Sequence, residues 1–135
     1  MALIKWDQSY SVKVKNCDDD HKKLFDMINT LHEAMRVGHG AEKVGPIVKE
    51  LAEYTKFHFG REEALFQKTN YPDLVAHRAQ HQVFIKRVAD FQKELAAGTS
   101  SQSVAVSIFL NDWLIQHIKK SDQKYSAHMN ANGIN

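Results

Sequence analysis

Apolar residues recur every three or four positions along four stretches of this 135-residue chain, and each stretch interrupts its own apolar face with ionisable side chains. Leu74, His77, His81, Phe84, Val88, Phe91 and Leu95 form one such stripe. Ile47, Leu51, Tyr54, His58, Glu62 and Leu65 form a second, in which His58 and Glu62 stand one helical turn apart. Val106, Leu110, Trp113 and His117 form a third, with Asp122 close behind. A fourth runs through His21, Phe25, Ile28, Leu31 or His32, and Met35. A helix with one apolar stripe must bury it against another element, so four of them predict an all-α fold. Burying a carboxylate without a partner is costly. The interior must therefore hold something that answers His21, His58, Glu62, His77, His81, His117 and Asp122.

Chain breakers divide the stripes. Gly38, Gly40, Gly45 and Pro46 separate the first helix from the second, with Pro46 expected in a first turn. Asn70, Tyr71 and Pro72 separate the second from the third. Gly98, Thr99 and a serine-rich run end the third, and Ser100, Ser101 or Ser103 is expected to cap the fourth. Asp18 or Asp19 is the candidate cap of the first. Connections this short favour antiparallel neighbours. The expected architecture is an antiparallel up-down-up-down four-helix bundle over residues 18–125, with an extended N-terminal arm at 1–17 and a frayed tail at 126–135, all in one domain.

Charge excludes several classes of partner. The 18 basic and 16 acidic residues are interspersed and leave a net charge of only +2, which is neither a nucleic-acid footprint nor a polybasic membrane surface. No segment approaches the ~18 apolar residues of a membrane span, and no signal-like run opens the chain, so a cytoplasmic protein without membrane insertion is expected. The single cysteine, Cys17, rules out an internal disulfide and reads as a small buried apolar residue. No apolar stripe is left over once the core is assigned, so a monomer is expected.

The inward donors number five imidazoles and two carboxylates. That is more than one zinc site takes, and calcium or magnesium would draw mostly oxygen. A pair of first-row ions such as iron fits better, with manganese the alternative. Two rival motifs fail. His32-Glu33 opens like a zinc-protease helix but Arg36 stands where the second histidine belongs, and no Glu has His three residues on, as ferritin-like di-iron bundles require. His32, His39 and His128 match no ligand position, and Glu63 reads as a solvated or capping residue.

Over residues 6–125 the chain resembles the haemerythrin family, in its single-domain bacterial form. The resemblance rests on the Trp6-led arm with Ser11-Val12, on Asp18-x-x-His21, His58-Phe59-x-x-Glu62-Glu63, His77-x-x-x-His81, and His117-Ile118-x-x-x-Asp122. It implies two iron ions, one held by His77, His81 and His117, the other by His21 and His58. Glu62, Asp122 and an oxo or hydroxo group would bridge them, and the second iron would keep an open position. The implied activity is reversible binding of dioxygen, for storage, transport or delivery to an O2-consuming client enzyme, rather than catalysis. A di-iron enzyme reducing peroxide or nitric oxide, or a free-standing sensor of O2 or iron, is the alternative. Leu24, Phe59, Trp113, Leu114 and Ile118 are expected to wall the open position in apolar surface. The chain departs from the family pattern at Asp20, where Gln is common, and at Cys17, where a larger aliphatic residue is common.

Overall fold

A computed structural model describes residues 4–37, 40–97 and 103–135, with the backbone alone at 40–43 and 103–106. Four long helices carry the four stripes: α1 (Lys15–Arg36), α2 (Gly40–Thr69), α3 (Leu74–Ala96) and α4 (Ser103–Lys120). A short α5 (Ser126–Ala131) follows. Each of α1 to α4 packs on the next and α4 returns to α1, which closes a four-helix bundle. The stripes face inward as the spacing predicts. Phe25, Ile28, Leu31, Leu51, Phe84, Val88, Phe91 and Leu110 are all buried in one core. Leu31 rather than His32 takes the fully buried position on α1. None of the described helices is long and apolar enough to cross a membrane.

Several boundaries differ from the sequence expectation. Pro46 lies inside α2 rather than in its first turn, because the helix already begins at Gly40. Proline in a helix interior forfeits one backbone hydrogen bond, but the helix gains the burial of Val44 on one side of it and Val48 on the other. The break after α2 is where the sequence puts it. Asn70 adopts φ of 54°, the left-handed conformation that asparagine tolerates beyond a helix end, and Tyr71 N–H bonds back to the Phe66 carbonyl at 2.9 Å. Gly38, His39, Gly98, Thr99, Ser100 and Ser101 lie outside the described residues.

Neither Asp18 nor Asp19 caps α1, which starts earlier, after Val14. Asp18 instead ties down the arm: it accepts from Ser11 Oγ at 2.7 Å and from Val12 N–H at 2.8 Å. Asp19 pairs with Lys15 at the surface. Among its described residues the arm forms a 3-10 turn, Gln8–Tyr10, and buries Ile4, Val12 and Val14. The tail expected to fray is ordered as α5. Met129 is fully buried, Ser126 Oγ donates to the Val12 carbonyl, Asn130 Nδ2 to the Lys13 carbonyl, and His128 Nε2 sits 2.7 Å from the Thr69 carbonyl. Asparagines and glycine near the end suggest fraying, but one buried methionine and these bonds to the arm decide otherwise.

Candidate metal centre

All seven inward donors meet in the middle of the bundle. His21 comes from α1, His58 and Glu62 from α2, His77 and His81 from α3, and His117 from α4. Asp122 needs a special turn. Five residues past His117, a continued α-helix would rotate it about 140° off the His117 face. The helix stops at Lys120, however, and a 3-10 turn over Asp122–Tyr125 swings the carboxylate back inside. Each of the seven is at least nine-tenths buried.

The donors sort into two overlapping groups. Glu62, His77, His81, His117 and Asp122 form one, and His21, His58, Glu62 and Asp122 the other, with ligand atoms in each lying within 4.8 Å of one another. Each carboxylate divides its oxygens between the groups. Glu62 Oε1 lies 3.2 Å from His81 Nε2 while its Oε2 lies 3.4 Å from His58 Nε2. Asp122 Oδ1 lies 2.8 Å from His77 Nε2 and 2.9 Å from His117 Nε2, and its Oδ2 lies 3.2 Å from His21 Nε2. The inward Nε2 atoms of all five histidines, with Glu62 Oε1 and both Asp122 oxygens, are buried without a hydrogen bond. Buried polar atoms are seldom left this way. Eight such atoms converging on two points fit a pair of cations, and the imidazole-rich donor set fits iron.

Electrostatics describe the same cluster without its cations. Burial would depress His21, but the carboxylates of Asp122 and Glu62 beside it prevail and push it up to about 10. His77 is raised to about 9 against the same burial, by the same two carboxylates. Burial opposes ionisation of Glu62, yet His58, His21 and His77 hold it well below the usual range. Asp122 is likewise held well below its ordinary value against burial and Glu62, by His117 and His21.

A second ring of residues holds the imidazoles in place from outside, and it runs from helix to helix. Asp20 of α1 accepts from His58 Nδ1 of α2 at 2.9 Å. Glu63 of α2 accepts from His81 Nδ1 of α3 at 2.9 Å, and Gln80 Oε1 of α3 accepts from His117 Nδ1 of α4 at 2.8 Å. These bonds fix each ring's tautomer and leave Nε2 free to face inward. Each partner is itself held: Tyr54 Oη donates to Asp20, Arg78 to Glu63, and Ser121 Oγ to Gln80. Tyr125 Oη donates to Glu62 Oε2 at 2.6 Å. Glu63 is thus a support for His81, not the solvated residue the sequence suggests. The available signal was adjacency. Asp20, Glu63 and Gln80 each neighbour one of the seven donors in sequence, and so project about 100° round the helix, toward the next one.

The apolar residues expected at the site divide. Phe59 stacks on His81 at 3.9 Å and Trp113 on His117 at 4.6 Å, so both rings lie against the three-histidine half. Leu24, Leu114 and Ile118 are fully buried close in sequence to His21 and His117. His32 lies outside both donor groups, with its Nδ1 3.4 Å from Ser107 Oγ, and His128 belongs to the tail. Cys17 is buried and free of any disulfide, and burial pushes its thiol above the ordinary range.

Known proteins resemble this chain in sequence and fold. The family model described as "Hemerythrin HHE cation binding domain" matches residues 12–128. A protein named Bacteriohemerythrin from Methylococcus capsulatus is 36% identical over 132 residues, covering 97% of this chain and all of that one. A hemerythrin-like protein of Naegleria gruberi is 36% identical over 122 residues, or 90% of each chain. A solved wild-type hemerythrin superposes with a TM-score of 0.89 at 35% identity, over 95% of this chain and 98% of the other. A matched family model spanning most of the chain, full-length relatives and a shared bundle agree: the chain belongs to the haemerythrin family.

Proposed function

We propose that this protein binds dioxygen reversibly at a non-haem di-iron centre, as a carrier that stores or delivers O2. The observation that supports it most is the division of Glu62 and Asp122, each with one oxygen toward the two-histidine group and one toward the three-histidine group. Carboxylates so placed would bridge two irons. His77, His81 and His117 would hold one iron and His21 and His58 the other, so the second half offers one donor fewer and is where O2 would enter. When bound, the iron pair supplies the electrons that a dioxygen molecule accepts and returns.

The chain supplies the rest. The outer bonds from Asp20, Glu63 and Gln80 keep three imidazoles oriented at no cost at the moment of binding. Leu24, Leu114 and Ile118, all buried, would exclude water from the two-histidine half, and Phe59 and Trp113 wall the other. Excluding water keeps protons from the bound gas, which favours its return over irreversible oxidation. Leu114→Ala and Ile118→Ala are each expected to raise the autoxidation rate severalfold while both irons stay bound, measured as loss of the oxygenated spectrum with time. Unchanged rates in both variants contradict the gating role. The carrier reading itself is tested by gas exchange: the reduced, iron-loaded protein must take up O2 and give it back when the O2 pressure falls. Uptake without return favours an enzymatic or sensing role.

A further inference from the structure

We propose that Asp20 sets how readily the two-histidine half of the centre is oxidised, with Arg61 as the opposing charge. The inference rests on the di-iron reading above and concerns a residue that touches no metal: Asp20 acts through His58. Its carboxylate is buried and takes three partners, His58 Nδ1 at 2.9 Å, Tyr54 Oη at 2.8 Å and Arg61 Nε at 3.2 Å.

The two halves are supported unequally. In the three-histidine half, His81 leans on the Glu63 carboxylate and His117 on the neutral amide of Gln80. In the two-histidine half, His21 Nδ1 has no hydrogen-bond partner among the described residues. Asp20 is therefore the outer acceptor for that half among the described residues, and it is an anion. An Nδ1–H drawn toward a carboxylate leaves electron density on the ring, so Nε2 becomes a stronger donor and favours the more highly charged metal. An amide oxygen in the same place would accept the bond without adding the charge. Arg61 tempers the effect. Its side chain is 31% exposed, stacks over Phe57, and neutralises part of the Asp20 charge from the solvent side.

Opposite substitutions should therefore move the centre in opposite directions. Asp20→Asn keeps an acceptor for His58 and removes the charge, and is expected to raise the reduced-to-oxidised ratio of that half about tenfold at fixed poise, ~59 mV for one electron. Arg61→Gln, at a partly exposed position, is expected to lower the ratio, by a smaller factor. Asp20→Glu should restore the wild-type direction. The experiment is spectroelectrochemistry of the iron-loaded wild type and the three variants, with iron counted in each sample beforehand. Displacements of opposite sign for Asp20→Asn and Arg61→Gln support the assignment. Two fully loaded variants with the wild-type potential, or with shifts of one sign, overturn it while leaving the di-iron reading intact. Should Asp20→Asn fail to load iron, an Arg61→Gln potential equal to wild type overturns it alone. A wild type that takes up no iron overturns the di-iron reading and this inference together, and it is recognised from the iron count before any potential is read.

Discussion

Glu62→Ala is expected to strip both irons from the protein, a loss that among the seven donors only Asp122, the other carboxylate shared by both groups, would match. Glu62 belongs to both ligand groups and sends a different oxygen to each. Removing it takes one donor from every metal position at once, whereas a histidine serves only one. The substitution also leaves His21, His58 and Tyr125 facing a void where a carboxylate stood. Two graded comparisons sharpen the expectation. His77→Ala should retain at most one tightly held iron, and His32→Ala, whose ring lies away from the cluster, should retain both. Iron per chain, measured after gel filtration in the presence of a mild chelator, gives the answer. Two irons surviving in Glu62→Ala contradict the bridging role.

The second large effect is on pH. Without metal, His21 and His77 are raised to about 10 and about 9, so both are protonated at neutrality. A raised histidine contributes stability that is fully present below its unfolded value of 6.5 and is lost as pH rises through 9 to 10. Glu62 and Asp122 work the other way. Held below 4.5 and 3.8, they contribute stability present above those values and lost as pH falls past them. The metal-free bundle is thus expected to be most stable at weakly acid pH, above the 4.5 of an unfolded glutamate and below the 6.5 of an unfolded histidine, and to lose stability as the solution becomes alkaline. Iron changes the balance, because an imidazole must be neutral to ligate. Loading near pH 7 is expected to expel at least about two protons, one each from His21 and His77 with a further share from His58, which its carboxylate neighbours also raise, so that affinity falls by roughly a hundredfold or more for each pH unit of acidification. Chelator competition at pH 6, 7 and 8 measures the slope. Acid should accordingly release the metal first and unfold the bundle at lower pH. An affinity independent of pH contradicts the protonation states derived from the geometry.

The bundle and the inward donors on its four helices were readable because both follow the same 3.6-residue period. His58 and Glu62, or His77 and His81, declare themselves by standing where a leucine would be expected. Features that depend on a neighbouring helix were not readable. Glu63 points away from its own helix's stripe, and only the placement of α3 beside α2 brings it to His81. Gln80 and Asp20 follow the same rule toward α4 and α2. Local signals also misled where tertiary packing outweighed them. Pro46 reads as a helix start, yet α2 continues upstream of it, and the polar end of the chain reads as frayed, yet Met129 and Ser126 anchor α5. Asp122 was placed by its nearness to His117 and by the motif the two share with the family, and the 3-10 turn that aims it inward has no separate signature in the sequence.

The most direct test of the central claim is the visible absorption spectrum of the anaerobically reduced, iron-loaded protein before O2, with O2, and after its removal. Reversible binding predicts a charge-transfer band that appears with O2 and vanishes when O2 is withdrawn, over repeated cycles. A band that never forms, or one that gives way to a stable oxidised spectrum without reversal, contradicts it.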